Sequence, residues 1–239
     1  MKLPKTAHTD RSWRIHEITG DFRLEDVWAL PTPGGPDDFP RLVRQLAEGD
    51  GAHRSGIVRA LFAIRWKLGE LLGWDGPDCG LGSRVRTLRD RLPPDLRDMP
   101  AGPDLHAVPF TSVYLTHEEW ALESANRTVH AILHIGWVPD EATGGYRGQM
   151  AMLVKPNGVF GVIYLTAIAP FRRLIVWPSM IRMIGRDWQY RQRQFQKLPP
   201  HVRQHPVPNS KRRNNDDLAC HGTTAPTTES PSPDCTELF

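Results

Sequence analysis

The sequence predicts an α+β domain in which an antiparallel sheet is wrapped on a long C-terminal helix. Three observations predict it. Apolar residues recur at helical spacing through much of the first hundred residues, alternate like strands between Phe110 and Ala167, and return to helical spacing from Pro170 to about Arg193. With 239 residues, 39% of them hydrophobic and 24% charged, the chain can build a core without disulfide or metal staples.

In chain order, Arg14-Ile15-His16-Glu17-Ile18 alternates and reads as a short first strand. Asp37 is placed to cap a helix with Pro40 in its first turn, carrying Phe39, Leu42, Val43 and Leu46 as far as Gly49. A stronger helix is predicted from Ser55 to Gly73, where Ile57, Leu61, Ile64, Leu68, Leu71 and Leu72 make one stripe and Gly73 suits the stop. Ser83 to Leu92 reads as a third, short helix ended by Pro93-Pro94.

Five strands follow: Phe110–Thr116, Glu119–Ala125, Thr128–Val138, Tyr146–Lys155 and Val159–Ala167. The Pro156-Asn157-Gly158 turn is the sharpest local signal, because Pro presets φ and Gly accepts φ > 0. Short connections imply antiparallel pairing. In Thr128–Val138, Val129, Ala131, Leu133, Ile135 and Trp137 share a core face, with Thr128, His130, Ile132, His134 and Gly136 opposite. The closing helix places Phe171, Leu174, Trp177, Ile181, Ile184 and Trp188 on one stripe, with Pro178 expected to kink it.

Composition limits the function classes. A formal charge of +3 is small for a nucleic-acid binder, so none is expected as a partner. Cys79, Cys220 and Cys235 form neither a zinc spacing nor an even disulfide framework, and the start of the chain lacks a signal-peptide apolar run, so the expected location is cytoplasmic. The run Gly158–Phe171 stops at Arg172-Arg173 after 14 residues, short of the roughly 20 a membrane span needs, so no transmembrane segment is expected. It leaves weak peripheral membrane contact through an Arg-flanked helix. From Leu198 the composition turns to Pro, Ser, Thr and Asn. The expected organisation is therefore a flexible segment over residues 1–9, a folded domain over 10–195 and a disordered tail over 196–239.

Asp26-Val27-Trp28, the run SRVRTLRDRL at Ser83–Leu92, TVHAILHIGWV at Thr128–Val138, Lys155-Pro156-Asn157-Gly158, Tyr164 and Pro170-Phe171-Arg172 together resemble the bacterial DUF2867 family of unknown function. The order of elements is similar to the helix-grip arrangement of the START/Bet v 1-like superfamily. The resemblance covers roughly residues 10 to 193. It implies a hydrophobic cavity between the sheet and the last helix and, because some members are joined to an NAD(P)-binding reductase-like domain, a reductase-like protein as a partner.

No nucleophile elbow, P-loop or H-E-x-x-H sequence occurs, and no cofactor or metal is called for. His130 and His134 alternate on a strand about 13 Å apart, too far to share a metal. Each reads as a solvent-facing or hydrogen-bonded strand histidine. Glu119 and Glu123 have the same spacing and read as solvated positions. The expected site is apolar: Trp120, Leu133, Trp137, Met150, Met152, Tyr164 and Trp177 converge between sheet and helix, with Tyr164 as the polar contact. The leading expectation is a non-catalytic binder of a small hydrophobic or amphipathic molecule. Alternatives are a polyketide-cyclase-like enzyme using the same cavity, with Tyr164 or a histidine moving protons, and an interaction module for a reductase partner or a membrane surface.

Overall fold

The computed structural model describes residues 1–49, 81, 85–105 and 108–197. The helix expected over Ser55–Gly73, most of Ser83–Leu92's first turn and the tail lie outside the described residues. Six strands form one sheet: β1 (Lys2–Leu3), β2 (Arg23–Ala29), β3 (Thr111–Leu115), β4 (Glu119–Ala125), β5 (Val129–Asp140) and β6 (Gly145–Pro156). Their order is β1-β2-β6-β5-β4-β3, and every neighbouring pair is antiparallel. Among the described residues the α-helices are α1 (Thr6–Thr9), α2 (Phe39–Glu48), α3 (Pro94–Arg97), α4 (Gly158–Phe171) and α5 (Trp177–Lys197). The α+β class and the antiparallel sheet carrying a long C-terminal helix are as the sequence predicts, in a helix-grip-like arrangement.

The 12-residue strands β5 and β6 pair along their whole length, from Val129↔Pro156 to Asp140↔Gly145. Both faces of the sheet are covered. One carries Trp120, Leu133, Ile135, Trp137, Met150 and Met152 against Phe39, Leu42 and Val43 of α2 and Trp177, Ile181, Ile184 and Trp188 of α5. The other carries Ala121, Ile132, Ala151 and Leu153 against Trp13, Ile15, Ile18, Leu88, Leu92 and Leu96. The alternation in β5 assigns its two faces correctly, and the apolar second face is why a histidine strand position is not solvated here.

Three expectations are corrected. Arg14–Glu17 is a 3-10 turn, whose Ile15 packs below the sheet instead of pairing in it. The strand of this region is β2, where a bulge between Leu24 and Asp26 buries two consecutive acidic residues and erases the alternation. Residues 1–9, expected to be flexible, are seated on the domain: β1 pairs with β2, and His8 of α1 is buried. Finally, Val159–Ala167 is helix, not strand. β6 already has β5 on one edge and β2 on the other, so the chain leaving it cannot turn back to pair with β6 itself.

Gly158 has φ of +76°, as the Pro-Asn-Gly turn predicts, but the turn opens α4. The helical path then runs through a π-helical turn at Arg172–Val176 into α5, with the Trp177 N–H donating to the Arg172 carbonyl. This wide turn stands immediately before Pro178 and is the form that the proline's missing donor and ring clash take here. Pro170, expected in a first turn, lies inside α4.

α4 is held close to the sheet at Gly161, where any Cβ would overlap the Thr128 carbonyl and crowd Pro156. Gly161→Ala must lift the helix from backbone that cannot yield. A loss of about 1–3 kcal/mol is expected in urea unfolding. Stability equal to the wild type would contradict this packing.

Candidate functional site

Six of the seven residues expected to line a site, Trp120, Leu133, Trp137, Met150, Met152 and Trp177, lie in one buried cluster with Leu165 and Trp188. The seventh, Tyr164, is half-buried on α4 and is not among the residues of that cluster. The Trp120 indole donates to Ser112 Oγ at 2.9 Å and the Trp137 indole to the Gly35 carbonyl at 3.0 Å. The indole nitrogens of Trp28 and Trp177 are buried with no hydrogen-bond acceptor.

The other side of α4 is apolar and outside. Val159, Phe160, Val162, Ile163 and Phe171 of α4 are exposed, Phe160 to 78%, and so is Leu174 in the π-helical turn that continues it. Gly158–Gln194 is, among the described residues, the one helix long and apolar enough to cross a membrane by length and composition, and only 11% of its most apolar 18-residue window is buried. The 14-residue limit set by Arg172-Arg173 in the sequence is thus exceeded by the continuous helix. Gly161 and Leu165 are buried while their neighbours point out, so α4 lies along the domain with one face down.

Arg172 and Arg173 do not belong to the outward face. Arg172 Nη2 lies 3.0 Å from Glu25 Oε2 and 3.2 Å from Asp26 Oδ2, and Arg173 Nε lies 3.2 Å from Asp26 Oδ1, which Lys2 Nζ also approaches at 3.4 Å. The Asp26 side chain is fully buried and that of Arg172 is 11% exposed. Burial works to raise the Glu25 carboxyl, and its hydrogen bonds to Arg23 and Arg172 overcome this and hold it below its ordinary value. Two stretches distant in sequence, Asp26-Val27-Trp28 and Pro170-Phe171-Arg172, therefore meet as one electrostatic fastening of helix to strand.

The second face of the sheet carries a polar row, whose glutamates the sequence reading placed in solvent and whose histidines it read as solvent-facing or hydrogen-bonded. In the β4–β5 register Ala121 faces His134 and Ala125 faces His130, so each glutamate reaches the histidine on its diagonal. His134 Nε2 is 2.9 Å from Glu119 Oε2, and His130 Nε2 is 2.8 Å from Glu123 Oε2. Glu123 also accepts from the Leu88 N–H and the Thr87 hydroxyl. Glu119 accepts from the Tyr114 hydroxyl at 3.0 Å and the Arg14 N–H at 2.9 Å. Glu119 is 2% exposed and His134 1%.

From His134 the row continues outward. His134 Nδ1 lies 3.1 Å from His8 Nε2, and His8 Nδ1 lies 3.2 Å from the half-buried His16 Nε2. Glu119 Oε2 takes protons from both Tyr114 and His134, so the His134 Nε2 donates. When all three rings are neutral, His8 then donates to His134 and His16 to His8, each link holding one proton. Burial, followed by the charges of His134 and His16, holds His8 down to about 2. Burial and His134 lower His16 as well, against the opposing pull of Glu119. Burial alone would raise Glu119, and the His134 hydrogen bond and charge bring it below its ordinary value. Among the described residues no group of three His, Cys, Asp or Glu side chains is placed to hold a metal ion.

His8, His16 and the two Glu–His pairs escaped the sequence reading. The signal was the identical four-residue spacing of Glu119/Glu123 and His130/His134 on either side of one short turn. Neither the curated proteins nor the solved structures contain a match to the chain. A family model does match, over a span that runs from just before β2 into the start of α5 and includes Asp26, Glu119, His134 and Arg172. The chain belongs to the family described as Protein of unknown function (DUF2867), over residues 18–179.

Proposed function

We propose that this chain is a non-catalytic binder of amphipathic matter that docks on a lipid surface through the outward side of α4. The observation that carries the reading is the row of Val159, Phe160, Val162, Ile163, Phe171 and Leu174, apolar and exposed on a helix whose other side is packed. Scattered apolar residues are ordinary on a protein surface, whereas six on one helix mark an interaction site. An interfacial helix buries such a face at the boundary between headgroups and acyl chains, lying in the membrane plane. Exposed Arg127 stands in the β4–β5 turn, whose Asn126 carbonyl and Thr128 carbonyl are hydrogen-bonded by Asn157 at the start of α4. It supplies a cation at that rim for anionic headgroups. Arg172 and Arg173, paired to Glu25 and Asp26, do not serve this role.

Flotation of the full chain with phosphatidylcholine vesicles, with and without phosphatidylserine, tests the reading. Co-flotation is expected, strengthened by phosphatidylserine. Phe160→Glu is expected to weaken it roughly tenfold to a hundredfold, since withdrawing one large apolar side chain from lipid costs about 1.5–3 kcal/mol. Wild-type protein that stays with the unbound fraction for both vesicles would overturn the reading.

A second reading keeps the binder between sheet and helix. It is favoured by the Trp28 and Trp177 indoles, two buried donors without acceptors in that layer, which an oxygen-bearing amphipathic molecule would satisfy. Native mass spectrometry of gently purified protein would then retain an adduct lost on Trp177→Phe. A ligand-free mass in every preparation removes this second reading.

A further inference from the structure

We propose that the N-terminal strap, residues 1–10, is an acid-released cover of the β2 edge, with His8 as its trigger. The strap makes two attachments. β1 pairs with β2 at Lys2↔Trp28 and Leu3↔Val27, and the Met1 ammonium reaches the Ala29 carbonyl at 3.2 Å. α1 inserts His8 between His16 and His134, while Gln149 of β6 donates to the Ala7 carbonyl at 3.1 Å. β2 has β6 on its other side, so the strap is what covers its free edge.

The groups facing His8 decide what a proton does there. His16 comes from the 3-10 turn, His134 from β5, and the Trp13 ring lies 6.4 Å from His8 and 5.1 Å from His134. Behind His134 stand Glu119 of β4 and Tyr114 of β3, and Arg14 touches Glu119 through its backbone while its guanidinium is held by Glu17 and Asp95. Glu119, the carboxylate at this end of the row, is in contact with His134, not with His8. Seated between two imidazoles, His8 would have to hold an added proton with no anion in contact with it. His8 is buried on all sides and has no carboxylate of its own, so its charged form exists only when the strap leaves and the ring reaches water.

The sign follows from the depressed value. His8 binds a proton readily once released, near the ordinary 6.5, and only near 2 when seated. The seated form is favoured fully above that range and loses ground as the pH falls through it. Opening of the strap rises tenfold per pH unit below about 6.5, or about 25-fold between pH 7 and pH 5. Release uncovers the pairing groups of Val27 to Ala29 and takes Lys2 from Asp26, leaving that carboxylate to Arg172 and Arg173.

Hydrogen exchange of the full chain, corrected for intrinsic rates and read at residues 27–29, measures the opening. A rise of about 25-fold between pH 7 and pH 5 is expected, with β5 and β6 unchanged, and His8→Gln is expected to flatten it. Imidazole nitrogen shifts of the wild type give a check that needs no variant: His8 is expected neutral whenever the strap is seated. A pH-independent opening, an equal rise in His8→Gln, or a protonated His8 in the seated form would each overturn the proposal.

Discussion

Glu119→Ala is expected to destabilise the fold by about 3–5 kcal/mol, because it leaves three donors, two of them fully buried, facing an empty place. The Tyr114 hydroxyl, the His134 Nε2 and the Arg14 N–H all converge on this one carboxylate. Their desolvation has been met by its charge, and burial together with that charge holds the Tyr114 hydroxyl well above its ordinary range. Glu119→Gln keeps the shape and one carbonyl acceptor but turns a donor toward one of the three, so a smaller loss is expected. Urea unfolding at neutral pH ranks the variants. Glu119→Ala within 1 kcal/mol of the wild type would mean the row is not the buried network described.

Asp26→Ala is expected to cost a similar amount, about 3–5 kcal/mol, by a different route. The Asp26 side chain is fully buried, and its removal deprives Arg172, itself 11% exposed, of one of two carboxylate partners at the π-helical turn. Arg172 cannot follow its charge into water without lifting the helix, whose next turn carries buried Trp177. Exposed ion pairs of the chain contrast with this: Arg14 with Asp95 and Arg91 with Asp21 involve side chains open to solvent, and their removal is expected to matter far less. Thermal unfolding of Asp26→Ala and Asp95→Ala side by side separates the two cases. Equal shifts would contradict the buried fastening.

The middle of the sheet was legible because alternation is a local signal. β4 has the bounds read from the sequence, Glu119–Ala125, and β3, β5 and β6 differ by a few residues at their ends. The two larger misses are one error seen twice. The bulge at Leu24/Asp26 hid β2, which occupies the edge of β6 that a strand following Gly158 would have to join. Composition could not correct this, since Val159, Phe160, Val162, Ile163 and Tyr164 suit a strand as well as a helix. What decides is which edges are already occupied, and that is a property of the whole sheet.

The site was half legible. Sequence periodicity gathered six apolar residues that do pack together, but it assigned them to a shared layer without telling a core from a lining. The spacing argument rightly kept His130 and His134 from sharing a metal, yet it treated each strand alone. Antiparallel register turns two equal spacings into two cross-strand pairs, and the strand neighbours that bury them come from residues 13–18 and 88–96, far away in the chain. His8 carried no periodic signal, because its burial depends on a segment of four helical residues held by β1 and Gln149.

The central claim is that the outward side of α4 enters a lipid surface, and a nitroxide scan measures this most directly. With Cys79, Cys220 and Cys235 replaced by Ser, single labels at positions 160, 163 and 171 are compared with one at 186 on α5, with and without phosphatidylserine-containing vesicles. On vesicle addition the first three are expected to gain accessibility to oxygen and lose accessibility to a water-soluble nickel chelate, while the label at 186 stays in water. Labels at 160, 163 and 171 that remain as open to the chelate with vesicles as without them would contradict it.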